Sequence, residues 1–142
     1  MIRIEADVDI ARAPAEVFAV VTDVAHHPDW SSGVERVTDL SDVTVMPGTT
    51  WTQFSRILGR EFEVHAKVIG HVPERRFEFS VDKPAHIEML WRFQPIPTGT
   101  NVTVSAKGEA GMYYALVRPM TGALRAALAD DLVRLKSRLE AA

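Results

Sequence analysis

Glu61-Phe62-Glu63-Val64-His65-Ala66-Lys67-Val68 is the stretch on which the fold turns. Successive side chains of a strand point to opposite faces. Phe62, Val64, Ala66 and Val68 therefore share one face, and Glu61, Glu63, His65 and Lys67 the other. The pattern predicts a half-buried strand over Glu61 to Val72. The same alternation runs outward on both sides. Thr49 to Leu58 reads as the preceding strand. After Pro73-Glu74, Phe77, Phe79 and Val81 alternate with Arg76, Glu78 and Ser80. After Lys83-Pro84, Ile87, Met89, Trp91 and Phe93 alternate with His86, Glu88 and Arg92. After the Thr98-Gly99 turn, Val102, Val104 and Ala106 alternate with Thr103, Ser105 and Lys107.

Towards the N-terminus, Val34 to Val45 is a weaker strand, broken at Asp39 to Asp42 and followed by a turn at Met46-Pro47-Gly48. Ile2, Ile4, Ala6, Val8 and Ile10 alternate with Arg3, Glu5, Asp7 and Asp9, a further strand. Between these two strands, Pro14 and Glu16 suit the first turn of a helix. That helix buries Val17, Phe18, Val20 and Val21 and ends near Asp23 to Ala25. His26-His27-Pro28-Asp29-Trp30 leaves room for little more than one turn, bent by Pro28.

Towards the C-terminus the period changes. Leu116, Met120, Leu124, Leu128, Leu132, Leu135 and Leu139 step by fours and threes, drawing one apolar stripe along a helix from about Met112 to Leu139. At 1.5 Å per residue such a helix runs roughly 40 Å, enough to cross a small sheet. Pro119 is expected to kink or reset it early. The class is thus α+β: a curved antiparallel sheet closed by one long helix, an arrangement that tends to enclose a cavity.

Composition narrows the function. The 142 residues suit a single domain, 1–142, long enough to bury a full core. A net charge of -3 and the lack of any basic run argue against a nucleic-acid partner. There is no cysteine, hence no disulfide framework and no thiol chemistry, which is compatible with a cytoplasmic location. The sequence opens on a strand pattern without a signal-peptide profile, and no apolar run approaches the roughly 20 residues that span a bilayer. No integral membrane association is expected.

Hairpin geometry sets which residues face the cavity. A two-residue loop at Gly59-Arg60, with glycine first, puts Ile57 opposite Phe62 and Ser55 opposite Val64. Trp51, Gln53, Ser55 and Ile57 then point inward, while Thr52, Phe54, Arg56 and Leu58 point outward. A three-residue loop would reverse this and bring Phe54 and Arg56 inside. On the two-residue reading the ligand-binding wall comprises Trp51, Gln53, Ser55, Phe62 and Val64, with Phe79, Met89, Trp91, Phe93 and Val104 from later strands. The helix adds Met120 and Leu124, with Tyr113 or Tyr114 near its entrance. An apolar wall with a few hydrogen-bonding groups is the usual make-up of a small-molecule pocket.

Ala13-Pro14-Ala15-Glu16-Val17-Phe18, then Asp23 and Pro28-Asp29-Trp30, resemble the opening of the SRPBCC or START-like superfamily. The likeness is closest to its polyketide cyclase/dehydrase-like bacterial branch. Gly48, Gly59-Arg60, Pro73-Glu74-Arg75-Arg76-Phe77, Gly99-Thr100 and Asp131-Leu132-Val133-Arg134-Leu135-Lys136 sit where that branch has similar features. The resemblance implies a helix-grip fold, a seven-stranded antiparallel sheet around a long C-terminal helix, with two short helices after strand one. It also implies a cavity that holds lipids, sterols, polyketides or hormones. Some relatives are aromatases or cyclases and many only carry a ligand; no catalytic motif carries over.

Other readings are weighed against this one. His26, His27 and Asp29 suggest a metal site, but adjacent histidines point in different directions and no third ligand has an obvious position beside them, so no metal is expected, and the segment reads as a lid turn with solvated histidines and Trp30 as a plug. His65 and His86 read as solvated surface beside Glu63 and Glu88. Arg118, Arg125, Asp130, Asp131, Arg134, Lys136 and Arg138 read as the solvated face of the long helix. The leading expectation is binding of a small hydrophobic molecule, without cofactor, by a monomer or homodimer. An enzyme of cyclase or aromatase type would need a proton donor or acceptor such as Tyr113 or Tyr114. Its weak point is the near absence of inward ionisable groups, and Arg56 or a histidine inside would revive it. A protein-interaction module would instead have a filled core and exposed Phe54 and Leu58.

Overall fold

The computed structural model describes residues 2–57, 59–83, 85–108 and 121–141. Strand β1 (Ile2–Ile10) leads into helix α1 (Pro14–Thr22) and a 3-10 turn (Val24–Asp29). Then come β2 (Val34–Thr38), β3 (Thr50–Ile57), β4 (Arg60–Val72), β5 (Arg76–Val81), β6 (Ile87–Ile96) and β7 (Gly99–Gly108). Helix α2 (Thr121–Glu140) closes the described chain. The strands form one antiparallel sheet of seven in the order β1-β7-β6-β5-β4-β3-β2. Strands β2 to β7 are a simple meander, and β1 joins beside β7. Bulges between Val34 and Arg36 and between Val68 and Gly70 help bend the sheet into an open, curved surface. This is the α+β helix-grip arrangement expected from the sequence.

Each element follows its local chemistry. In α1, Pro14 occupies the first turn, where its missing N–H costs nothing, and the Ala13 carbonyl accepts from the Glu16 and Val17 amides. Strand β2 stops at Thr38 rather than Val45, because Asp39 takes a left-handed backbone, φ 55°. The β3–β4 hairpin corrects the sequence reading in one respect. Ile57 pairs with Arg60 and Ser55 with Phe62, which puts Gly59 second rather than first in the tight turn. Gly59 is the residue that takes the left-handed backbone, φ 77°. The pairing shifts by two residues, and a shift of two keeps every side chain on its expected face. The outward Arg56 confirms the parity: its guanidinium pairs with Glu35 at 2.6 Å and Glu61 at 3.4 Å.

The apolar stripe of α2 buries Leu132, Leu135 and Leu139 against the sheet, with β1 packed alongside. The C-terminal end is tied to the corner after β1. Lys136 Nζ donates to the Asp9 carbonyl at 2.7 Å, the Ala11 amide donates to Glu140 Oε2 at 2.9 Å, and Arg12 donates to the Glu140 carbonyl at 3.1 Å. Closer to its N-terminus the helix runs over the inner face of β3 to β6, and there Leu124 and Leu128 are only half-buried. The space they leave is the candidate site. The expected start of the helix near Met112 and the kink at Pro119 fall outside the described residues.

Candidate functional site

A cavity of about 230 Å³ lies between α2 and the inner face of the sheet. Gln53 and Ser55 of β3, Val64 of β4, Phe79 of β5, and Met89 and Trp91 of β6 line it. Leu124, Ala127 and Leu128 cover it from the helix. Of the residues expected on the wall, Gln53, Ser55, Val64, Phe79, Met89, Trp91 and Leu124 are therefore brought together.

The others lie elsewhere. Trp51, 2 % exposed, packs behind the wall with its ring 5.1 Å from Phe79. Phe93 meets Phe18 edge to face at 5.2 Å, and Val104, on β7 itself, is fully buried. Phe62 is half-buried on the inner face, with the Arg60 guanidinium 5.3 Å from its ring centroid, and does not line the cavity. Tyr113, Tyr114 and Met120 fall outside the described residues. Outward Phe54 is half-buried, covered by the Arg36 guanidinium at 3.8 Å, so it is not the exposed apolar surface that an interaction module requires. Leu58, the other half of that expectation, lies outside the described residues.

Two residues read as solvated belong to the cavity. Asp131 is not on the solvent face of α2; it lines the cavity at 7 % exposure. Its Oδ1 accepts from the Ser32 amide at 2.7 Å and Ser32 Oγ at 2.8 Å, and its Oδ2 accepts from Ser31 Oγ at 2.9 Å. Burial pushes its carboxyl above the usual range, and the bonds from Ser32 and Ser31 offset this only in part. His27 is also not solvated; it is 5 % exposed and lines the same cavity. Its Nε2 lies 2.7 Å from the Val21 carbonyl, an acceptor only, so Nε2 carries the proton. Burial lowers the imidazole below its ordinary value and favours the neutral ring. His26, by contrast, is exposed and raised by its bond to Asp23 at 2.7 Å.

The sequence held a signal for Asp131. Its position is three residues beyond Leu128 and four before Leu135, on the apolar stripe itself. His27 gave less warning, since a 3-10 turn has no amphipathic period long enough to read. Trp30 does plug the site: it is 3 % exposed and stands perpendicular to Trp91 with ring centroids 5.6 Å apart. Its indole N–H has no hydrogen-bond partner among the described residues.

Polar groups inside the cavity are few and ordered. Trp51 Nε1 donates to Gln53 Oε1 at 3.0 Å, and Gln53 Nε2 donates to Ser55 Oγ at 3.0 Å. Outside the cavity, His65 is exposed and bonded to Asp82 at 2.9 Å, and His86 is exposed beside Glu88 at 4.0 Å. Among the described residues, no group of three or more His, Asp or Glu could hold a metal ion, and no helix is long and apolar enough to cross a membrane.

Known structures share this architecture. The protein TTHA0849 from Thermus thermophilus superposes with a TM-score of 0.78 at 18% identity, over 99% of this chain and 98% of its own. Ara h 8.0201 superposes with a TM-score of 0.73 at 13% identity, over 99% of each chain. The Polyketide_cyc-like protein Cgl2372 from Corynebacterium glutamicum gives a TM-score of 0.64 at 22% identity, over 97% of this chain and 91% of its own. At these identities the likeness is one of fold. No curated protein matches the sequence. The sequence model of the family described as polyketide cyclase / dehydrase and lipid transport matches residues 1–140. The chain, nearly end to end, belongs to that family.

Proposed function

We propose that this protein binds one small, mainly apolar molecule between α2 and the sheet. The observation that carries the proposal is the cavity itself, a space of about 230 Å³ between α2 and the inner face of the sheet, lined mainly by buried and half-buried apolar side chains. Val64, Phe79, Met89, Trp91 and Leu124 supply apolar contact, and Gln53 and Ser55 orient the ligand. Each CH₂ group moved from water into such a wall contributes about 0.8 kcal/mol before ordering costs. The volume lies just below the roughly 300–1,000 Å³ of pockets that hold drug-sized ligands, which favours a compact ligand over a sterol. Family membership supports hydrophobic binding without choosing the molecule.

Trp30 and Trp91 stand on the wall, so their emission reports occupancy. Titration with a panel of fatty acids, sterols and compact bicyclic compounds is expected to give a saturable change with the last class. Ala127→Phe, which fills the cavity from the helix, is expected to abolish that change while keeping the thermal midpoint within about 5 °C of the wild type, the shift of roughly 1 kcal/mol. A panel without any saturable response overturns the proposal.

A second reading is favoured by one observation. Buried His27 and Asp131 on the wall are inward ionisable groups of the kind a cyclase or aromatase needs; Arg56 also borders the cavity, but its guanidinium is engaged by Glu35 and Glu61. A neutral imidazole can accept a proton, and burial, which raises the Asp131 carboxyl above its ordinary range, makes it a better proton carrier than a solvated carboxylate. Conversion of a bound poly-ketone by the wild type, lost in Asp131→Asn with uptake retained, would select this reading; unchanged recovery of the compound would reject it.

A further inference from the structure

The hydrogen bonds of the cavity wall have a fixed direction. An indole nitrogen only donates. The side-chain atom of Gln53 facing Trp51 is therefore its oxygen, Oε1, which leaves Nε2 facing Ser55. An amide nitrogen also only donates. Ser55 Oγ must then accept from Gln53, and the proton of its own hydroxyl is left over. Among the described residues that hydroxyl donates no hydrogen bond, yet Ser55 is 6 % exposed and lines the cavity. A second donor on the same wall also lacks a partner among the described residues, the buried N–H of Trp30. Buried donors without acceptors are rare in folded proteins, because each forfeits its hydration without return.

From this asymmetry we infer that the ligand carries a hydrogen-bond acceptor, a carbonyl oxygen, held by the Ser55 hydroxyl. The inference rests on the binding function proposed above and narrows it to carbonyl-bearing apolar compounds. The Trp51→Gln53→Ser55 chain is a relay in which each bond polarises the next, so the terminal hydroxyl is a better donor than an isolated serine. Ser55 is the specificity-determining contact, and Trp51 and Gln53 are positioning residues that set its polarity. The relay also explains why Trp51 sits behind the wall: its role is to orient the glutamine rather than to touch the ligand.

The test compares two compounds of nearly the same shape, the ketone 1-tetralone and the hydrocarbon tetralin, by calorimetric titration of the wild type and two variants. Ser55→Ala removes the donor. Gln53→Glu keeps the shape but reverses the relay, since a carboxylate accepts from both Trp51 and Ser55 and turns the serine proton away from the cavity. Each variant is expected to weaken 1-tetralone about tenfold while changing tetralin by less than about twofold. The carbonyl stretching band of bound 1-tetralone is expected to lie at lower wavenumber in the wild type than in either variant. Equal changes for both compounds, or none for the ketone, overturn the carbonyl inference and leave the binding function standing. If neither compound binds the wild type, the binding function falls and the inference with it.

Discussion

His27 shows how burial rewrites a residue that the sequence presents as ordinary. Its Nε2–H is committed to the Val21 carbonyl, and its ring stands edge to face with Trp30 at 5.2 Å. Desolvation lowers its pKa, partly offset by that backbone bond and by the charge of Asp23. A lowered folded-state pKa means that, below the ordinary value of 6.5, the unfolded chain binds the proton more readily. The stability His27 contributes is thus complete above pH 6.5 and is lost as pH falls from there towards the folded-state pKa. His26, raised by Asp23, acts in the opposite sense, so the clean measurement is a comparison. Urea midpoints measured at about pH 7.5 and 5.5 are expected to fall more steeply for the wild type than for His27→Gln. Equal slopes would mean that His27 is not held neutral. Asp131 carries the same lesson with a clearer warning in the sequence. Its helical position was legible, but a charge in an apolar stripe reads as surface until its partners are known. Those partners, Ser31 and Ser32, are about a hundred residues away in the chain.

Among the elements, the strands were the most legible, because one buried face and one wet face impose a period of two on the residues. The β3–β4 hairpin marks where that legibility stops. Its inward set, Trp51, Gln53 and Ser55, followed from the alternation together with a loop of two residues rather than three. The position of the loop did not, because Gly59 serves equally well as the first or second residue of a tight turn and only the pairing decides. The β6–β7 turn carries a sharper constraint. Gly99 has φ 145°, and a Cβ there would collide with the Ile10 carbonyl oxygen and lie 2.9 Å from the Arg12 amide. That turn packs against the end of β1, where Thr100 Oγ1 donates to the Arg12 carbonyl at 2.7 Å. Gly99→Ala is expected to lower unfolding stability by about 2–3 kcal/mol, the scale of a backbone forced into a disfavoured region plus displacement of a neighbour. Gly59→Ala, which meets nothing within 4 Å, is expected to cost less, about 1 kcal/mol, from its φ alone. Denaturant midpoints of the two variants check the order; a smaller loss at Gly99 would contradict the packing described here.

For the whole molecule, the helix-grip arrangement follows from two facts of the sequence: strands with one apolar face and a helix with one apolar stripe. Neither can bury its apolar surface alone, and a curved sheet under a straight helix does not close completely. Tying the C-terminal end of α2 to the β1 corner through Lys136 and Glu140 concentrates the mismatch at its other end, where the cavity lies. What alternation cannot reveal is which inward residues pack and which face open space. Trp51, Phe93 and Val104 share a face with Gln53, Met89 and Trp91, yet only the latter line the cavity. That distinction depends on the path of the helix, set by contacts across the full length of the chain. The central claim is that the open space is there for a ligand, and native mass spectrometry of protein purified from its own host, with organic extraction of anything bound, tests it most directly. The expected result is a discrete adduct of one compact, carbonyl-bearing apolar molecule per chain, released on unfolding; a bare chain mass that stays bare when the protein is offered fatty acids, sterols and bicyclic ketones would show that the space is not there for a ligand.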